Sequence, residues 1–190
     1  MGAFYKRFDN PIERVFLATS GTRIVTFLNA EGADNVGLEL EARKGLGFLA
    51  PALEPFSVSS NVTVMRSEIR LSDTTRAVDE SRAMVGQAPY VLNAGLTYAP
   101  GSSGRLSATL LYNRVGRRIV SASQFPLPVT YEQPRDVIDL SLRFPIVAGV
   151  SGRFDARNLA DAAYNQTQGT VTREYYRAGR VFQLGLTWAP

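Results

Sequence analysis

Apolar and polar residues alternate one by one along almost the whole chain, and a period of two belongs to extended strands with two unlike faces. In "DNVGLELEAR", Val36, Leu38, Leu40 and Ala42 share one face, and Gly37, Glu39, Glu41 and Arg43 share the other. "PFSVSSNVTV", "PYVLNAGLTY", "RLSATLLYN", "DVIDLSLRF" and "GVSGRFDARN" repeat the pattern, and "GRVFQLGLTWAP" closes the chain with Phe182, Leu184, Leu186 and Trp188 opposite Gln183, Gly185 and Thr187. Helical spacing is sustained nowhere, so the chain is read as all-β.

Composition removes several function classes. The chain has 190 residues, Cys 0 and His 0. There is accordingly no disulfide framework, no thiolate metal site, no cysteine nucleophile and no histidine general base. Glu39 and Glu41 stand two apart on one face, where Arg43 and other arginines neutralise them as a charged lining rather than a catalytic pair. Asp136 and Asp139 fall on opposite faces. The oxygen-bearing stretch "DTTRAVDESR" (73 to 82) is too mixed with arginine for a calcium site. An enzyme is not expected, and neither is a cofactor. Lys+Arg 21 against Asp+Glu 17 leaves a charge of +4. Those charges are scattered, so nucleic acid is not an expected partner.

Alternation alone fits a soluble sandwich as well as a membrane wall. Three features favour lipid. Several segments run to ten residues or more, whereas about five or six is typical of soluble strands and about nine to eleven crosses a bilayer at a tilt. Phe56, Tyr90, Tyr98, Tyr112, Phe144 and Trp188 cap the ends of the apolar faces, as interfacial aromatics do in outer-membrane barrels. Short connections at 99 to 104 and 145 to 148 alternate with long ones at 68 to 86, 122 to 133 and 159 to 177. The connection at 44 to 53 belongs with the short set by parity but is long and apolar. Eight strands are expected: 3–15, 23–43 (bent near Gly32), 54–67, 87–98, 105–120, 134–144, 149–158 and 179–189. They form an antiparallel up-and-down transmembrane β-barrel segment, part of a larger barrel. A self-contained eight-stranded barrel with a structural or adhesive role is the alternative.

"FYKRFDNPIE", "NAEGADNVGLELE", "GQAPYVLNAGLTY", "LLYNRVGRRI", "NLADAAY" and "GRVFQLGLTW" stand in the order in which similar motifs occur near the end of TonB-dependent outer-membrane receptors. The chain resembles the C-terminal β-barrel portion of that family over nearly its whole length. The resemblance implies a parent barrel of about twenty-two strands with a plugged lumen, placed in the bacterial outer membrane and importing an unidentified small-molecule or metal-chelate ligand. It also implies that TonB is reached only through a plug domain that this chain lacks. With neither plug nor signal peptide in residues 1–190, the isolated chain is expected to be inactive.

In such receptors the external loops meet the ligand. Phe125, Tyr131, Tyr164, Arg173, Tyr175, Tyr176 and Arg177 are the candidates in these loops. Phe182, Gly185 and Trp188 resemble the terminal signal read by the barrel-assembly machinery, although Pro190 replaces the usual final aromatic. Gly37 is expected to admit a close neighbour on the lumen side. Asn158 and Asp161 are expected to close a turn through their side chains.

Overall fold

The computed structural model describes residues 1–19, 22–71, 81–101, 106–123 and 127–189. In chain order the strands are β1 (Gly2–Asp9), β2 (Ile12–Thr19), β3 (Thr22–Asn29), β4 (Gly32–Gly45), β5 (Phe56–Arg70), β6 (Ser81–Arg82), β7 (Tyr90–Tyr98) and β8 (Ser107–Val115). They continue as β9 (Arg118–Ser123), β10 (Thr130–Glu132), β11 (Arg135–Val147), β12 (Val150–Arg157), β13 (Ala163–Gln168), β14 (Val171–Arg177) and β15 (Val181–Trp188). A single 3-10 turn, Pro51–Leu53, interrupts the apolar connection between β4 and β5.

Eight strands form one antiparallel wall in the order β1-β4-β5-β7-β8-β11-β12-β15, with β6 added beside the end of β5. The expected number and order of wall strands are therefore present. The wall is open. Among the described residues β1 pairs only with β4, and β15 only with β12. A self-contained eight-stranded barrel requires those two strands to pair, so that alternative is not met.

Register carries the alternation across the sheet, because residues directly opposite each other share a face. One line runs Val58, Leu96, Leu110, Leu140, Ala156 and Phe182. Another runs Phe56, Tyr98, Ala108, Leu142, Phe154 and Leu184. This apolar face is uncovered: Leu184, Leu186 and Trp188 are 69%, 70% and 73% exposed. The opposite face carries Glu39, Asn61, Asn93, Asp139, Arg153 and Gln183. The wall thus lacks an ordinary core. The buried apolar cluster found among the described residues is small: Ala30, Ala33 and Ile69, with Phe8, Leu71 and Met84 against it.

A second sheet stands beyond one end of the wall, in the order β14-β13-β10-β9-β2-β3. It corrects several sequence boundaries. The expected strand 3–15 breaks at Asn10, whose φ is 50, and Pro11, which has no amide to give to a ladder. The expected 23–43 breaks at Ala30–Glu31, close to the foreseen bend, and 105–120 breaks at Gly116–Arg117. The connection 159–177 is largely a hairpin, β13 and β14, and 122–133 contains β10. At the other end, Pro145 to Val147 remain in β11, and the turn is confined to Ala148 and Gly149, with Gly149 at φ 77. β10, β13 and β14 escape a reading by alternation because they are short and mostly polar, whereas β2, β3 and the start of β9 read in sequence as continuations of wall strands.

Candidate functional site

The polar face of the wall is a hydrogen-bonded lining. Asn113 donates its amide to Asn93 at 2.7 Å, and Arg153 donates to Asp155 at 3.1 Å. A hollow of about 460 Å³ runs along it, bordered by Glu41, Arg43, Asn61, Asn93, Asn113 and Asp139. Charges of both signs line it, as expected from Glu41 and Arg43. Gly37 lets this face pack closely: the Phe4 ring lies 2.5 Å from where a Cβ on Gly37 would stand.

Where the wall meets the upper sheet, a second hollow of about 680 Å³ is bordered by Met65, Ser67, Arg82, Gln87, Arg117 and Tyr131. The Arg117 guanidinium lies over the Tyr131 ring, 4.4 Å from its centroid, a cation–π contact that fixes both side chains. The floor is rigid. Glu13 on β2 and Arg82 on β6 form an ion pair with side chains only 5% and 8% exposed. Glu13 also accepts the Val85 amide at 2.9 Å. Met84 donates its amide to the Ser67 hydroxyl at 3.1 Å, and Gly86 donates to the Ile119 carbonyl at 2.7 Å.

A third hollow of about 340 Å³ lies at the base of the β13–β14 hairpin, against Gln133, Arg135, Asp161, Asn165, Tyr175 and Arg177. The hairpin is pinned to the wall by Asn158, at φ 55. Its backbone amide donates to Asp139, its side-chain amide donates to the Gly179 carbonyl, and its side-chain oxygen accepts the Ala162 amide, at 2.8, 2.7 and 2.8 Å. Asp161, at φ 48, follows in the same turn. The Tyr175 side chain and then Asp161 hold the Arg177 guanidinium above its ordinary pKa, so it stays charged.

The loop candidates are divided among these places. Tyr131 borders the second hollow, while Tyr175 and Arg177 border the third. Tyr164 and Tyr176 pack on each other with ring centroids 4.8 Å apart, and Arg135 covers Tyr164. Arg173 is turned onto Gln168, which it reaches from Nε at 2.7 Å. Phe125 and Pro190 lie outside the described residues, as does most of 73 to 82. In β15, Phe182 and Trp188 stand on the apolar face and Gly185 on the other, beside Arg153.

Two clusters were not foreseen. On the apolar face of β1 and β4, the Tyr5 hydroxyl donates to Asp34 at 2.6 Å, and Arg70 of β5 pairs with the same carboxylate. On the same face of β8 and β11, the Tyr112 hydroxyl donates to Asp136 at 2.5 Å, and Arg114 grips both carboxylate oxygens at 2.6 and 2.7 Å. The signal was present as Y-x-R at Tyr5–Arg7 and Tyr112–Arg114, and as D-x-[VI]-x-L-x-L beginning at Asp34 and at Asp136.

An open antiparallel wall with an apolar outside, a polar inside and hairpins rising beyond one end defines a segment of an outer-membrane-type β-barrel. Residues 1–159 match the family described as TonB dependent receptor-like, beta-barrel, and the chain belongs to that family. Neither the search of curated proteins nor that of solved structures returns a match. The family is one of outer-membrane receptors and transporters rather than enzymes, and its setting is lipid on the outside and ligand uptake through the inside.

Proposed function

We propose that the chain is the C-terminal stretch of the barrel wall of a TonB-dependent receptor, and that its parent imports a small-molecule or metal-chelate ligand across the bacterial outer membrane. The observation that carries this is the pairing of an apolar, uncovered outer face with a polar lining that opens, at one end only, onto a roof of hairpins. The unpaired edges of β1 and β15 are where further strands of the parent barrel join, and its lumen holds the plug through which TonB acts. The hollows at Arg117–Tyr131 and at Tyr175–Arg177 are the ligand-facing parts of the roof. The outward Phe182 and Trp188, with Gly185 between them, present β15 to the barrel-assembly machinery. Alone, the chain carries no ligand, because half-lined walls leave the path open to lipid.

Membrane topology tests the reading. A single cysteine at Thr170, in the β13–β14 turn, should react with a membrane-impermeant maleimide on intact cells. One at Ala148 should react only after the outer membrane is permeabilised. Equal labelling of both sites on intact cells would refute the orientation, and labelling of neither in any state would refute an outer-membrane wall.

A further inference from the structure

Two kinds of local cost meet at the base of the β13–β14 hairpin. Among the described residues, three non-glycine residues have a positive φ, and Asn158 and Asp161 of this turn are two of them. Three side-chain oxygens are shut from solvent without a hydrogen-bond partner, on Asn35, Asp161 and Asn165, and the last two residues border the hollow of about 340 Å³. The strain at Asn158 is offset by its three hydrogen bonds. The Asp161 and Asn165 oxygens have no such offset, and a buried acceptor without a donor lowers stability. Strain and orphaned polar atoms that coincide in one turn point to a role other than holding the fold.

Register gathers the groups around the hollow. Asn165 stands opposite Tyr175 and Ala163 opposite Arg177, so an amide, a phenol ring and a guanidinium share one face of the hairpin. The other face carries the Tyr164–Tyr176 pair. Tyr175 is 57% exposed, which leaves its ring as an open platform beside the oxygens. Arg177 donates to the Asp161 carbonyl at 2.7 Å, and this holds its head against the turn.

The free groups select the chemistry of the ligand. Both orphaned atoms are acceptors, so the ligand donates hydrogen bonds. An ammonium group or a metal ion is disfavoured by Arg135 and Arg177 in the same hollow, and of its two carboxylates Asp136 is already held by Tyr112 and Arg114. No cluster of three acidic residues that could hold a metal exists among the described residues. An anion would be repelled by the two oxygens. A neutral molecule with several hydroxyls suits every group, because a hydroxyl gives to an oxygen and accepts from a guanidinium. The apolar face of a sugar ring also matches the face of Tyr175. The hollow lies at the small end of the range for ligand sites, which suits a mono- or disaccharide unit.

Resting on the receptor reading above, we propose that the hollow at the base of the β13–β14 hairpin is a saccharide subsite, in which Asp161 and Asn165 accept from sugar hydroxyls, Tyr175 lies on a ring face and Arg177 donates to sugar oxygens. Rotation about either Cβ–Cγ bond, a soft torsion, brings the two side-chain oxygens to the ligand. The sugar supplies the donors that the turn lacks.

The hollow is complete within the chain, so binding is read on the chain itself, folded in detergent micelles. Backbone amide spectra are recorded with maltose, cellobiose and lactose as probes, and with citrate and calcium chloride as the alternatives. Amides of Ala162, Asn165 and Arg177 should shift and saturate by about 50 mM of at least one disaccharide, and should stay in place with citrate and calcium. Shifts with citrate or calcium and none with sugar would overturn the assignment. So would the absence of any shift in a chain whose β13–β14 amides are protected from exchange, since the oxygens then serve ordered water only. Asn165→Leu removes an orphaned acceptor, so hairpin protection should hold or rise while saccharide affinity falls about ten- to hundredfold. Unchanged affinity would refute the role of Asn165. Where that variant loses protection, Asp161→Asn, which keeps the side-chain shape and accepts the left-handed φ, carries the same test. The Thr170 and Ala148 labelling reads the receptor assignment separately: correct labelling without sugar shifts keeps the wall and removes the subsite, and sugar shifts with failed labelling do the reverse.

Discussion

The Glu13–Arg82 pair offers the sharpest perturbation outside the membrane wall. Glu13→Gln keeps the side-chain shape and an acceptor for the Val85 amide, but leaves the Arg82 charge, 8% exposed, without its carboxylate. Removing one partner of a buried pair typically costs about 3–5 kcal/mol, mostly the penalty of the charge left behind. The cost falls first on the segment that the pair holds down. Residues 82 to 86 have only a few other ties, the Met84 amide to Ser67 and the Gly86 amide to Ile119 among them. The population of the opened segment should therefore rise by about 10²- to 10⁴-fold. Native-state hydrogen exchange at Met84, Val85 and Gly86 reads this directly, with the β5–β7 ladder as an internal control. Arg82→Met added to Glu13→Leu removes both charges and should recover most of the protection. A single variant that raises exchange less than about tenfold, or a double variant as open as the single one, would refute the account.

Three further outcomes are expected. Gly37→Val forces a side chain into the Phe4 ring, at 2.5 Å, and toward the Val64 carbonyl, at 2.8 Å; it should lower stability by about 1–3 kcal/mol in urea titration, and Phe4→Ala should relieve part of that loss. Asn158→Ala removes two side-chain hydrogen bonds and leaves a β-carbon residue without a compensating contact at φ 55. It should loosen β13 and β14 by about 1–3 kcal/mol in hydrogen exchange without changing the wall, and Asn158→Gly should recover only the backbone part. Expressed by itself, the chain presents two unpaired edges, so amides of β1 and β15 should exchange faster than those of β5 and β7 and the chain should aggregate through them. Equal protection across the sheet would contradict this.

Much of the wall was legible because its signal is local. Alternation within "DVIDLSLRF" or "PYVLNAGLTY" is enforced by the strand itself, whichever neighbour it finds. Eight wall strands in sequential order follow from such segments and the connections between them. Other features were legible only in part. Tyr131 was identified by residue type and position in a connection, but its partner Arg117 comes from the break between β8 and β9. Tyr164 and Tyr176 carry the same aromatic signal, yet they pack on each other. Residue type announces a capacity for contact, and the partner decides its use.

What the sequence determined by itself is which residues share a face, because Cβ direction alternates with each residue and needs no tertiary information. The family resemblance belongs here too, since it is carried by short motifs in order. What only the tertiary structure decided is register and everything that register brings together. Glu13 meets Arg82 across 69 positions, and Tyr5, Asp34 and Arg70 meet across three strands. Asn158 is tied at once to Asp139, Ala162 and Gly179. The breaks at Pro11, Ala30 and Gly116 were equally nonlocal in effect, since each marks where the chain crosses between the wall and the roof. Chain closure over long separations chooses among many pairings that the same alternation permits, and one-residue shifts in that choice exchange the faces.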